Sequence, residues 1–313
     1  MPRRQSDDDN LRSLLDVAEP AGDEPRAKAT VTYRFPAPAL REAIASYYFV
    51  RVTGPGVVED QLFPEWANFR WSLTGEWRTR FPDGVMEPAP AAGVSGALER
   101  AIRVRGAPGY LVGVGLMPQG WQRLTAVSAE GFANRMRPLS DAIGPEADTL
   151  HERLKTVASG GEAAICAVLD EAFTARLRPA PDADLIRAAH AALQDINVRS
   201  VAAWAEALQL SPRQLERFSL KVFGVSPKGL LRRQRVLRTL AAMIERPGGA
   251  WTQFLDDQYV DQAHFIREFR HYMGVTPNAY LKRPSAFMAD AWRRRKEVLG
   301  WPVQILHPPN SEP

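Results

Sequence analysis

Arg213 and Arg217 stand four residues apart, a spacing that puts both on one face of a helix, with Glu216 beside them. A guanidinium can donate two hydrogen bonds to O6 and N7 of a guanine. A carboxylate can accept from the amino group of a cytosine, so this face carries a set that reads base edges in a DNA major groove. The plain alternative is a solvated face with an internal Arg–Glu pair. Fifty residues on, Gln262, Ala263, His264, Arg267 and Arg270 form a second outward set.

The elements that must hold these residues are repeated. Phe223-Gly224-Val225-Ser226-Pro227 returns as Met273-Gly274-Val275-Thr276-Pro277, and Leu215 and Arg217 correspond to Phe265 and Arg267. In the first copy Val201, Trp204, Ala205 and Leu208 make one helical stripe. After a break at Gln209-Leu210, Ser211 offers an N-cap and Pro212 suits the first helical position. Leu215, Phe218 and Val222 then face inward, and Gly224 stops the helix. This is helix, turn, helix. In the second copy Trp251 to Leu255 predicts a shorter first helix, Asp261 caps the next, Phe265, Ile266 and Phe269 look inward, and Gly274 stops it. The Arg/Leu-rich stretch Gly229 to Glu245 has no internal Gly or Pro after its start. As a helix it separates the units by roughly 25 Å, compatible with insertion into successive major grooves.

Residues 183–285 resemble the DNA-binding domain of AraC/XylS-family transcription regulators. The resemblance rests on Leu210-Ser211-Pro212-Arg213-Gln214-Leu215-Glu216-Arg217-Phe218 and Gly224-Val225-Ser226-Pro227. It continues through Asp261-Gln262-Ala263-His264-Phe265-Ile266-Arg267-Glu268-Phe269 and Gly274-Val275-Thr276-Pro277. It implies base contacts from Arg213, Glu216, Arg217, Gln262, Ala263 and Arg267. Arg270 reads as a phosphate contact, and Gln214 and His264 complete the DNA-binding set. His264 falls where the family often carries His, so it gives no reason to invoke metal or acid–base work. One departure stands out: Gln258 occupies a position where the family usually has Gly. A left-handed turn there would strain it by about 1 kcal/mol, so the first unit is expected to dominate base reading.

Charge agrees with a phosphate-binding second half. From Leu185 onward there are 19 Lys and Arg against 11 Asp and Glu, whereas the first 184 residues hold 21 against 25. Affinity for DNA should therefore fall steeply with salt. The single Cys166 excludes an intrachain disulfide and fits a reducing compartment, hence cytoplasmic localisation. No apolar run is long enough to span a membrane, and Pro2-Arg3-Arg4 is not followed by the apolar stretch of a signal peptide.

Residues 1–29 lack apolar periodicity and are expected to be disordered. From 30 to 138 the texture is β-rich. Thr30–Phe35, Tyr47–Val52, Phe69–Leu73, Trp77–Phe81 and Tyr110–Leu116 are short, aromatic or β-branched runs separated by turn residues such as Pro82-Asp83-Gly84. The expectation is a barrel or jelly roll, cupin-like in position and texture, that serves as a sensor or oligomerisation domain. Trp66, Arg70, Trp71 and Trp121 are candidates to line an effector pocket, or else to be the barrel core and rim. A helical connector follows over 139–182, with stripes Leu150/Leu154/Val157 and Ile165/Leu169/Phe173 that could join the domains or pair with a second copy. A helix and loose tail fill 286–313. The architecture is thus α+β: a β-rich N-terminal domain, a helical connector and an all-α C-terminal domain with two helix-turn-helix units.

None of the five histidines (151, 190, 264, 271 and 307) lies in the β-rich segment, and no phosphate loop, nucleophile elbow or paired-Cys motif is present. No catalytic residue, metal or cofactor is therefore expected. The reading is a non-enzymatic, sequence-specific transcription regulator whose partners are double-stranded DNA, a small-molecule effector and RNA polymerase, with homodimerisation open. The alternatives are an N-terminal domain that only mediates protein contacts and, from another class, an enzyme fused to a DNA-binding domain.

Overall fold

In the strand Ile44–Thr53 (β2) successive side chains alternate between two faces, so Tyr47 and Phe49 point one way and Tyr48 and Val50 the other. The strand Asn68–Thr74 (β4) does the same, with Phe69 and Trp71 on one face and Asn68, Arg70 and Ser72 on the other. In the computed structural model both faces are used. The Tyr47/Phe69/Trp71 face packs on helices, and the Tyr48/Arg70 face looks into a cavity. The structure describes residues 27–179, 181–246, 251–255, 257–282, 286–301 and 304. Most of the segment expected to be disordered lies outside them, as does most of the tail after Pro302; Lys28 and Ala29 already belong to a strand.

The remaining strands are β1 (Lys28–Arg34), β3 (Val58–Leu62), β5 (Trp77–Arg80), β6 (Glu87–Pro88), β7 (Ala92–Ser95), β8 (Ile102–Gly106), β9 (Gly109–Leu116) and β10 (Met136–Pro138). They form two antiparallel sheets. One has the order β1-β2-β9-β4-β7-β10, the other β3-β8-β5-β6. The cavity lies between them. Gly113 allows the Tyr48 ring to lie directly on β9, because a Cβ there would occupy the ring's position.

Helices α1 (Pro118–Leu124), α2 (Ser140–Ile143), α3 (Glu146–Val157) and α4 (Gly161–Arg176) follow. Leu150 and Leu154 of α3 and Ile165, Leu169 and Phe173 of α4 share one core with the six-stranded sheet, and Phe173 stacks at 6.0 Å on Phe69. The two apolar stripes of the connector are therefore spent against the β domain, not on a second copy.

The C-terminal half comprises α5 (Ala183–Gln194), α6 (Val201–Ala207), α7 (Pro212–Phe223), α8 (Pro227–Glu245), α9 (Gln262–Met273), α10 (Pro277–Lys282) and α11 (Ala286–Leu299). The first helix expected in the second unit is instead a single 3-10 turn, Trp251–Phe254. Its short apolar stripe cannot sustain an α-helix, and Trp251 alone is buried, stacked at 5.2 Å on Phe265.

The halves meet along a packed seam. Trp66 of the β domain is buried in the core of the helical half, against Phe223 and His190. Arg233 of α8 lies 4.3 Å over the Trp66 ring and donates from Nη1 to Leu98 O at 2.9 Å. Burial lowers its pKa to about 10. Ala101 N donates to Tyr272 O at 2.7 Å, and the Gln61 side-chain amide donates to Met273 O. Finally α11 returns to the β domain, packing on β1 and β3, with its Met288 N bonded to Asp60 Oδ2 at 3.2 Å.

Candidate nucleic-acid interface and effector cavity

Helices α6 and α7 are set by their caps. Ser200 accepts from Ala203 N at 3.1 Å. Ser211 and Gln214 form a reciprocal capping box: Ser211 N donates to Gln214 Oε1 at 2.8 Å and Gln214 N to Ser211 Oγ at 3.3 Å. Helix α7 then buries Leu215, Ser219, Val222 and Phe223. The period of 3.6 leaves Arg213, Gln214, Glu216 and Arg217 exposed on the opposite face. Gln214 is thus partly a capping residue. Gly224 ends the helix at φ 76°.

Helix α9 repeats the scheme. Asp261 caps it by accepting from His264 N at 2.6 Å, and Gly274 closes it at φ 70°. Phe265, Glu268, Phe269, Tyr272 and Met273 are buried, while Gln262, Ala263, Arg267 and Arg270 are exposed and His264 is half-buried against Tyr259.

Four arginines on these outward faces, Arg213, Arg217, Arg267 and Arg270, form no ion pair among the described residues. The arginines of α8 differ. Arg232 and Arg235 both bind the buried carboxylate of Glu268, at 2.6 and 2.8 Å. Burial disfavours that carboxylate's charge, but the two guanidinium hydrogen bonds outweigh it and hold the group below its ordinary range. Glu268 therefore ties α9 to α8. Its charge within an otherwise outward-reading string hid this role. The clue was its place in the repeat, opposite the largely inward-facing Phe218.

The expected strain at Gln258 is absent: its φ is negative. The left-handed residue is Gln209, at φ 55°, in the turn of the first unit. The sequence comparison looked for a missing glycine in the second unit, whereas the sharp α6–α7 turn places the demand in the first. Gln209→Gly should raise stability by about 0.5 kcal/mol, strain relief being partly offset by unfolded-chain entropy. Gln258→Gly should lower it by about 0.5–1 kcal/mol. Urea midpoints of the two variants test this, and the reverse order would contradict it.

The helix-turn-helix domain family matches residues 204–283, about a quarter of the chain, spanning α7 and α9. The C-terminal half carries an AraC-type helix-turn-helix domain. No curated protein matches the chain. Among solved structures it is similar to apo ToxT from Vibrio cholerae strain SCE256, at 12% identity and a TM-score of 0.41, covering 82% of this chain and 97% of that one. It is also similar to ToxT of that strain with unsaturated fatty acid bound (12%, TM-score 0.39, 82% and 94%). A third is the AraC-like transcriptional activator CuxR (15%, TM-score 0.28, 68% and 87%). The AraC-type domain marks the protein as a DNA-binding regulator, and the matched residues take in both α7 and α9.

The cavity in the β domain has a volume of about 140 Å³ and is lined chiefly by apolar side chains. Arg70 faces it, paired with Glu65 and bonded to Ser95 Oγ at 2.7 Å. The other three pocket candidates do not line it. Trp66 is in the seam, Trp71 packs toward Phe173 on the opposite face of β4, and Trp121 packs on Phe132 with its indole N–H bonded to Val127 O at 2.8 Å. Strand alternation forces the split, since Arg70 and Trp71 are consecutive. The helix expected from residue 286 is present as α11, but its part in the cavity was not foreseen: it sends Phe287, Met288, Ala291, Trp292 and Arg295 into the wall. Among the described residues no cluster of His, Cys, Asp or Glu could hold a metal, and no helix is long and apolar enough to cross a membrane.

Proposed function

We propose that this protein recognises a specific DNA site through α7 and α9 and that a small molecule held between the sheets controls that binding. The observation that carries the DNA reading is the contrast among arginines. Those on the two outward faces are exposed and, among the described residues, free of ion pairs, while Arg232 and Arg235 of α8 share the carboxylate of Glu268 and Arg233 is buried. Arg213, Arg217 and Arg267, with Glu216, Gln262 and Ala263, read bases; Arg270 binds phosphate; Gln214 and His264 flank them.

Both recognition helices end at the seam, at Phe223 and at Tyr272–Met273. Strand β3 contacts α9 through Gln61 and forms the cavity wall through Leu62. A ligand that shifts β3 thus shifts the second reading head relative to the first. This favours effector control over an N-terminal domain that serves only for protein contacts.

Selection of bound sequences from a random DNA pool tests the reading. A bipartite site is expected. Arg213→Ala and Arg267→Ala should each cost about 1–3 kcal/mol of discrimination at one position, while Arg270→Ala should weaken all sequences alike and reduce the salt slope by about one. A selected site that both base-reading variants bind as well as the wild type would remove α7 and α9 from the interface.

A further inference from the structure

On the four-stranded sheet, Trp77 and Thr79 of β5 and Ile102 and Val104 of β8 face the cavity. Strand alternation therefore turns Arg78, Arg80, Arg103 and Arg105 to the outer face. The antiparallel register sets Arg78 directly opposite Arg105 and Arg80 opposite Arg103, so the four form a square. Like charges directly opposite one another destabilise a sheet. Relief here is slight. Glu59 meets Arg105 at 3.3 Å, Arg78 donates to Met86 O at 2.8 Å, and among the described residues Arg80 and Arg103 form no ion pair. The other acidic residues of this sheet, Asp60 and Glu87, stand opposite Val104 and Thr79 and so belong to the inner face. Composition does not explain the cluster either, since the first 184 residues hold 21 Lys and Arg against 25 Asp and Glu.

The geometry selects the partner. Neighbouring strands lie about 4.8 Å apart and alternate residues of one strand about 6.7 Å, so the four cations crowd a patch that no single small anion balances. The patch also lies on a sheet surface, whereas small ligands are taken in clefts. Duplex DNA carries one negative charge per roughly 1.7 Å of axis, and cations brought against it gain by releasing its counterions. The patch is continuous with the DNA-binding half. Gln61, opposite Arg103 on the same outer face, donates through its side-chain amide to Met273 O at the end of α9. Arg100 donates to His271 O at 3.2 Å, and the exposed Arg270 of α9 stands one residue from that contact.

We propose that the outer face of β3, β8 and β5 is a sequence-independent DNA contact, in which Arg78, Arg80, Arg103 and Arg105 hold phosphates of the duplex flanking the half-site met by α9. The inference rests on α9 as a DNA-reading helix and adds a third point of attachment, outside the helix-turn-helix units. Phosphate contacts fix register and orientation without reading sequence. The square therefore lengthens the footprint on one side only and fastens the β domain to the duplex. An acidic protein surface would match the charge, but the abutment of this face on α9 favours DNA.

The full chain is titrated with three duplexes. One carries only the site selected from the random pool, and two are extended by about ten base pairs of arbitrary sequence on one side or the other. Arg213→Ala and Arg267→Ala, which relax preference in one half-site each, assign the α7 and α9 sides. Extension on the α9 side should tighten binding at least about fivefold and steepen the salt dependence; extension on the α7 side should do neither. Arg80→Gln with Arg103→Gln, and separately Arg78→Gln with Arg105→Gln, should each cancel most of the gain. Each should also lower the salt slope on the α9-extended duplex by about 0.9 per arginine. Both should bind the short duplex as the wild type does. Without DNA the Arg80/Arg103 variant should melt at or above the wild type, because a like-charged pair has been removed. The matching lysine variants keep the charge and should keep the gain. Equal gain on both sides, no gain on the α9 side, glutamine variants that keep the gain, or their loss of short-duplex binding would overturn the proposal while leaving the DNA reading intact. If no site is selected, or if Arg213→Ala and Arg267→Ala both leave specific binding unchanged, the DNA reading falls and this inference with it.

Discussion

Trp66→Ala should lower the stability of the protein by about 3–5 kcal/mol, the cost of removing a large buried aromatic where the surroundings cannot collapse. Trp66 is 2% exposed and has partners from three helices: His190 of α5 at 5.8 Å, Phe223 of α7 at 5.5 Å and Arg233 of α8 at 4.3 Å. The substitution does more than open a void. It takes away the ring that covers the buried guanidinium of Arg233, whose Nε and Nη2 have no hydrogen-bond partner. Water entering to solvate that charge should part the halves. The variant should therefore unfold in two separated steps. Trp71→Ala, which removes an equally buried indole from the sheet–helix core on the other face of β4, should lower the first half's stability without opening the seam. Denaturation followed by far-ultraviolet dichroism and by tryptophan fluorescence distinguishes these outcomes. A loss below about 1 kcal/mol at Trp66 would show that the seam is not a packed interface.

The second large effect is expected at Glu268. Glu268→Ala strands Arg232 and Arg235 beside the position their shared carboxylate occupied. Removing one partner of a buried pair costs about 3–5 kcal/mol. Arg232 is 40% exposed and can turn to water, so the lower end, about 3 kcal/mol, is expected here. The pH dependence has a definite sign. Because the folded-state pKa of Glu268 is depressed, its contribution is complete above the unfolded carboxyl value of about 4.3 and is lost as pH falls through the lower folded value. The stability gap between wild type and variant should thus be flat near neutrality and close below about pH 4. The same variant should lose sequence preference at the half-site read by α9 while keeping that read by α7. A gap unchanged down to the acid limit would mean that the carboxylate charge is not what holds the helices together.

The two reading helices were legible because their signals are local. A Ser or Asp cap, an apolar stripe and a terminal glycine each act within one or two turns, and all appear twice. The strands with aromatic runs were legible for the same reason. What escaped the sequence is set by packing between distant segments. β3 and β8 carry Glu59, Asp60, Arg103 and Arg105 among their residues, so neither announces itself by apolar content, although Ile102-Arg103-Val104-Arg105 does alternate. The pocket candidates went astray by grouping Trp71 with Arg70, although adjacent strand residues cannot share a face. Arg295 could not be told from Arg293 and Arg294, because burial at one position of a charge run depends on a helix docking onto strands some 260 residues earlier.

That docking also governs the order in which the molecule can be finished. The contacts of α11 with β1 join the first described strand to the last described helix, about the longest loop this chain can close. Such contacts form late, after the sheets and the DNA-binding helices have each gained their local structure. Until then the space between the sheets stays open on the side where Phe287 and Trp292 will stand. A fragment cut at residue 179 lacks the α11 side of that wall, so binding measurements belong on the uncut chain.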